Sequence, residues 1–196
     1  MSKGESTRSR ILDEAIAVAS VDGLAGLTLG RLAGSGGMWK SGLFAPFRSK
    51  EELQLQVLEE TFARFRARVI TPALAAPRGE PRVRALFEGW MAWADDPAVP
   101  GGCLFMHATV ELDDQPGPTR DRLVESQRDW REFLVDAVRR AVDAGHFRAE
   151  LDADLFVFQL EGILLARHRA ARLLDDPAAD ARARRAYDAL VATARA

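Results

Sequence analysis

Residues 7–33, TRSRILDEAIAVASVDGLAGLTLGRLA, and residues 37–53, GMWKSGLFAPFRSKEEL, decide the fold. In the first stretch Ile11, Leu12, Ala15, Ile16 and Ala19 recur at the spacing of an amphipathic helix, predicted over Arg10 to Ser20. Ser6 or Thr7 can cap its start. Asp22-Gly23 ends it, because glycine reaches the left-handed conformation that closes a helix. Thr28 then caps a short helix with Leu29, Leu32 and Ala33 on one face, and Gly34-Ser35-Gly36-Gly37 breaks it. Met38 to Ala45 forms one or two further turns before Pro46, whose ring clashes with the carbonyl of Gly42. Ser49 and Glu52 make a capping box for a long helix from Glu51 to about Ile70, with Leu53, Val57, Leu58, Phe62 and Phe65 inward. Three short helices followed by a long one outline a helix-turn-helix head, whose third helix would enter the major groove of DNA.

The rest of the chain reads as helices separated by proline-bearing loops. Loops are predicted at Pro72–Pro81, Asp95–Gly102 and Asp113–Pro118. Helices are predicted at Arg82–Ala94, Cys103–Leu112, Arg120–Ala144 (closed by Gly145), Leu155–Leu174 (capped by Asp152) and Ala178–Arg195. The Leu155–Leu174 helix is apolar nearly all round and must be covered on both sides, within one chain or by a second copy. Extended alternation beside hairpin turns is absent, so the chain is predicted to be all-α.

The 196 residues carry a net charge of −2, with 47% hydrophobic and 29% charged residues, an ordinary globular composition. Residues 1–50 hold seven bases and four acids (+3), while the remainder holds 20 bases and 25 acids (−5). A basic head on an acidic body suits a polyanion partner at the head, although so short a window also fluctuates by chance. The single cysteine, Cys103, excludes a disulfide framework and a four-cysteine zinc site. His107, His146 and His168 are too widely spaced to form a metal cluster, so no metal or cofactor is expected. No run of 18 apolar residues occurs, and residues 1–10 lack the apolar core of a signal peptide, so a cytoplasmic chain without membrane contact is expected. Gly-x-Ser-x-Gly, a P-loop and His-Glu-x-x-His are all absent, which argues against an enzyme.

The two quoted stretches resemble the DNA-binding head of the TetR (TetR/AcrR) family of bacterial transcriptional regulators. The shared features are Arg-x-x-Ile-Leu-x-x-Ala, a Gly-Leu-x-x-Leu-Thr step, a Gly-Met start to the third helix, Leu-Phe-x-x-Phe, and Ser-Lys-Glu-Glu-Leu opening the fourth, in one register over residues 7–55. Pro-Gly-Gly-Cys-Leu-Phe at 100–105 resembles a turn from one branch of the family. The resemblance implies a helix-turn-helix domain over residues 1–50 and a helical ligand-binding and dimerisation domain over 51–196. It also implies a homodimer whose two heads read the halves of a palindromic operator.

Thr28 and Lys50 stand at helix N-termini that favour a phosphate. Lys40 can meet a phosphate or guanine O6 and N7, with Ser41 beside it. Arg31, Gly42 and Phe44 complete the implied DNA surface. Trp39, Phe44 and Pro46 depart from the family pattern, which has a small hydroxyl residue, tyrosine and histidine there. Trp39 either packs on a sugar or thymine methyl or blocks the groove. A small hydrophobic effector is expected among Phe65, Phe87, Trp90, Phe105 and Trp130, oriented by His107, Glu111 and Gln127; the alternative is that these aromatics are simply core and that His107 and Glu111 bond each other. The last two helices would form the dimer interface through Phe156, Phe158, Leu160, Leu164, Tyr187 and Leu190. The expected function is a ligand-responsive repressor; the alternative is a dimeric small-molecule sensor or carrier whose head binds DNA poorly.

Overall fold

The computed structural model describes residues 3–28, 47 and 49–195, with side chains from Arg8 onward. Among these residues the chain forms α1 (Lys3–Asp22), α2 (Lys50–Phe65), a π-helical stretch (Arg66–Ile70), α3 (Thr71–Ala75), α4 (Glu80–Ala94), α5 (Leu104–Leu112), α6 (Pro118–Asp143), α7 (Ala153–Leu173) and α8 (Ala179–Ala194). The expected all-α class holds: no strand occurs among them, and one isolated bridge joins Phe147 and Arg195. The two short helices expected over residues 28–45 lie outside the described residues.

Two compact units emerge, one of residues 1–64 with 95–126, the other of residues 65–94 with 127–196. In the first unit the α1 stripe predicted from sequence is buried, with Ile11, Leu12, Ala15, Ile16 and Ala19 at 0–6% exposure. Leu24, Leu27, Phe47, Leu53, Val57 and Leu58 are buried with it. The segment after residue 95 belongs here: the Gly101 N–H donates to the side-chain Oγ of the buried Ser20 at 2.9 Å. A Cβ on Gly101 would lie 1.6 Å from the Ser20 carbonyl oxygen, an approach only glycine permits. Arg8 donates to Gln56 at 2.7 Å and Arg64 pairs with Asp13, tying the N-terminal half of α1 to α2.

In the second unit α4 buries Val83, Leu86, Phe87, Trp90, Met91 and Trp93, while α7 and α8 bury Phe156, Val157, Leu160, Leu164, Ala183, Tyr187 and Val191. Each large apolar side chain so buried contributes about 1.5–3 kcal/mol.

Local signals set most ends. Ser49 Oγ accepts from the Glu52 N–H at 3.0 Å, and Asp152 caps α7 by accepting from Leu155 at 2.9 Å. Gly145, at φ +71, closes α6, with the His146 N–H reaching the Ala141 carbonyl at 3.0 Å. Two expectations need correction. Helix α1 starts at Lys3, so neither Ser6 nor Thr7 caps it. The loop expected at Pro72–Pro81 is helical to Ala75. There the Thr71 N–H bonds the Arg66 carbonyl, five residues back. This wider turn spares the Arg68 carbonyl the clash with the Pro72 ring that would otherwise end the helix.

Candidate functional site

Arg31, Trp39, Lys40, Ser41, Gly42 and Phe44, the centre of the expected DNA surface, lie outside the described residues, as do Gly34–Gly37 and Pro46. The flanks of that surface are described. Thr28 and Lys50 are both exposed. The turn that follows α1 leads to Thr28 and is met by Lys50. Gly23 adopts φ +75 there, which lets the chain reverse and bring Leu24 and Leu27 into the core.

Side chains from two helices hold this turn. The Glu111 carboxylate on α5 accepts from the Leu24 N–H at 2.7 Å through Oε2 and from the Ala25 N–H through Oε1. From α2, Lys50 Nζ donates to the Ala25 carbonyl at 2.6 Å and Gln54 Nε2 donates to the Leu24 carbonyl at 2.9 Å. Every backbone polar group of Leu24 and Ala25 therefore has a partner. An anion on two successive N–H groups and donors on the two carbonyls complement the local dipoles. Glu111 was expected to orient a ligand; the structure places its carboxylate on the head instead. Sequence inspection missed this, because Glu111 lies 87 residues from Leu24 and no local pattern encodes the pairing.

The expected effector residues are divided between the units. Phe105, His107 and Glu111 fall in the first, where the Phe62 and Phe105 rings lie 5.1 Å apart at 59°. Phe65, Phe87, Trp90, Gln127 and Trp130 fall in the second. There Phe65 meets the edges of Trp93 and Trp130 at 5.6 and 5.0 Å, both at 88°, a favoured aromatic geometry. Trp93 is 2% exposed, and its buried indole Nε1 has no hydrogen-bond acceptor. Gln127 and Trp130 are half-buried. Phe87 stacks on Tyr187 at 4.1 Å and 5°, and Trp90 is 3% exposed, so both are packed as tightly as Phe65 and Trp93. Burial pushes the Tyr187 phenol well above its ordinary range, and its hydroxyl has no partner.

The expected dimer residues separate into two sets. Phe156, Leu160, Leu164 and Tyr187 are 0–3% exposed within a single chain and have no area left to give a partner, which corrects their assignment to an interface. Phe158 is 65% exposed and Leu190 half-buried. Leu155, Phe158, Leu165 and Leu173, all more than half exposed, line the outer side of α7. A groove of about 630 Å³ runs between α7 and α8, floored by Gly162, Ala166, Ala186, Ala189 and Leu190. Spacing alone could not sort these residues, because α7 is apolar on both faces. Arg167, which lines the groove and is otherwise buried, pairs with Asp180 at 2.8 Å. Burial raises the Glu161 carboxyl above its usual range, against the opposing pull of Arg131 at 3.9 Å.

Among the described residues no group of histidine, cysteine and carboxylates could hold a metal ion. No helix among them is long and apolar enough to cross a membrane.

Residues 79–187 match the family model for the tetracyclin repressor-like C-terminal domain. The chain belongs to the TetR family of transcriptional regulators, which are DNA-binding regulators rather than enzymes. Its fold is that of a TetR transcriptional regulator from Chloroflexus aurantiacus J-10-FL, with a TM-score of 0.84 at 27% identity over 98% of this chain and 96% of that one. A putative regulator from Saccharomonospora viridis, solved in complex with choline, aligns with a TM-score of 0.80 at 17% identity, over 99% of this chain and all of that one. The regulator AibR, solved with isovaleryl coenzyme A and operator DNA, aligns at 0.71 and 21% identity, over 90% and 96%. No curated protein matches the chain.

Proposed function

We propose that this protein is a ligand-responsive transcriptional repressor that binds a palindromic operator as a homodimer and leaves it when a small apolar effector binds. The observation that carries the reading is the clamped turn after α1. Its four backbone groups are held by Glu111, Lys50 and Gln54, which presents Thr28 and the N-terminus of α2 at the edge of the head. In this reading Thr28 and Lys50 flank phosphates, while Arg31, Trp39, Lys40, Ser41, Gly42 and Phe44 form the groove-facing surface. The exposed apolar side of α7 and the α7–α8 groove take a second copy of the chain. A contiguous apolar surface of that kind is what an obligate homodimer buries. The effector sits by Phe65, Trp93 and Trp130, where the unpartnered Trp93 Nε1 would donate to it. The neighbour solved with isovaleryl coenzyme A and operator DNA supports both a ligand and a DNA partner. Such a protein would work in the cytoplasm, where the chromosome is.

Two heads reading adjacent major grooves must sit about 34–36 Å apart, so a ligand that changes this spacing forfeits one half-site. It can do so only by its differential affinity for the two spacings. The test is fluorescence anisotropy with labelled DNA from upstream of the protein's own gene, at low and moderate salt, against a scrambled duplex. Selective binding that weakens steeply with salt is expected. Binding no better than to the scrambled duplex, but regained on Trp39→Ser, Phe44→Tyr and Pro46→His together, would favour the sensor or carrier reading; failure that persists in that variant points to a different operator.

A further inference from the structure

The chain leaves α1 through residues 23–28 and is described again at Phe47, Ser49 and the start of α2. The groove-facing residues proposed above, Arg31 to Phe44, lie between these two ends in the sequence. How the ends are held therefore sets where that segment starts and finishes. Lys50 Nζ ties one end to the other through the Ala25 carbonyl at 2.6 Å, and Gln54 Nε2 does so through the Leu24 carbonyl at 2.9 Å.

The turn itself is anchored by a distant part of the chain, residues 101–111, which belong to the same compact unit. Glu111 accepts from the successive N–H groups of Leu24 and Ala25, across 87 and 86 residues. Gly23 makes room for that carboxylate: a Cβ there would lie 2.6 Å from Glu111 Oε2 and 3.2 Å from its Cδ. Its φ of +75 demands glycine a second time. Just before it, in the last turn of α1, the buried Ser20 accepts from the Gly101 N–H, where a Cβ on Gly101 has no space either. Two glycines and two side chains thus dock the end of α1 onto residues 101–111.

The sign of the charge makes this arrangement informative. DNA is a polyanion, and a carboxylate in a DNA-binding unit lowers affinity by simple repulsion. Here both carboxylate oxygens are engaged by backbone N–H groups of the turn that leads to Thr28. We infer that Glu111 is a positioning residue for sequence-specific DNA binding: it fixes the entry to the segment that reads the groove, so removing its negative charge weakens specific binding instead of strengthening it. The inference rests on the DNA-binding reading above. It adds that a residue inside the match to the C-terminal domain model acts in the head.

Fluorescence anisotropy of the full chain tests it, with a duplex selected by the wild-type protein from a random pool and a scrambled duplex beside it. Measurements are made well below the melting temperature of every variant. Glu111→Gln keeps the size of the side chain and removes its charge. It should weaken the selected duplex about tenfold, since affinity falls with the fraction of heads that keep the turn in place. Binding to the scrambled duplex, which charge alone carries, should be unchanged or tighter. Val157→Ala, at a fully buried position on α7, is the control for lost stability and should bind the selected duplex as the wild type does. Glu111→Gln binding the selected duplex as tightly as the wild type, or more tightly, would overturn the inference and leave the DNA-binding reading standing. An equal loss in Val157→Ala would overturn it too, because the effect would then be one of general stability. A wild-type protein that selects no duplex would overturn the DNA-binding reading and the inference with it.

Discussion

Replacing Glu111 by alanine should loosen the turn after α1 more than any other substitution on the surface of the first unit. The carboxylate accepts from two successive N–H groups, Leu24 at 2.7 Å and Ala25 beside it. Leu24 is fully buried, whereas Ala25 is exposed. Water can replace the acceptor at Ala25 but not at Leu24, so the two bonds are unequal. A hydrogen bond to a charged group contributes about 1.5–3 kcal/mol, and a rehydrated N–H recovers most of that. The loss should therefore be about 3 kcal/mol, most of it from Leu24. For a chain of this length that is a fall in Tm of roughly 6–12 °C. Glu111→Gln keeps one acceptor oxygen but turns its amide N–H₂ toward the other donor, so it should lose an intermediate amount. Thermal melts give the magnitude, and hydrogen exchange gives the location: the Leu24 and Ala25 amides should exchange faster while those of Phe156 and Leu160 on α7 do not change. A Glu111→Ala variant with wild-type Tm and wild-type protection at Leu24 would refute the clamp.

Four further outcomes follow from the same geometry. Gly101→Ala would place a methyl 1.6 Å from the Ser20 carbonyl oxygen, backbone against backbone; it should cost about 3 kcal/mol or more, measured by chemical denaturation. Tyr187→Phe removes a buried hydroxyl without a partner and keeps the stack on Phe87, so stability should be unchanged or slightly higher, whereas Tyr187→Ala should lose about 3–5 kcal/mol. Phe158→Asp, on the exposed side of α7, should shift the protein from dimer to monomer in light scattering without lowering helical content by circular dichroism. Burial raises the Glu161 carboxyl above its ordinary value of 4.5, so the folded state holds its proton longer than the unfolded state. Its contribution is fully present below pH 4.5 and is lost as pH rises through the higher folded value; Glu161→Gln should gain stability over the wild type across that window, read as the difference in Tm between acidic and neutral pH.

Much of the fold was legible in the sequence because the signals that build helices are local. The buried stripe of α1, the Ser49 and Asp152 caps and the Gly145 stop each depend on residues within a turn or two of one another. The failures have local causes too. Pro72 read as a helix breaker, but a π turn at Arg66–Ile70 widens the helix enough to carry it. Polar Ser6 and Thr7 read as caps, but α1 runs through them.

The candidate sites were legible by type and not by pairing. An aromatic-rich body and an all-round apolar α7 were visible as composition. Which of Phe156, Phe158, Leu160 and Leu164 faces outward was not, since a helix that is apolar on every side carries no phase. The ring partners were likewise not legible: Phe87 stacks on Tyr187, while Phe65 packs edge-on with both Trp93 and Trp130. Residues 7–53 carried the resemblance that pointed to the family, and the helices of the described chain were legible because capping, periodicity and breakers act over a few residues. The partner of Glu111 and the glycine-only contact at Gly101 were decided by tertiary structure alone. Each joins groups that no short-range rule connects, and burial and hydrogen-bond satisfaction become defined only when the chain has folded.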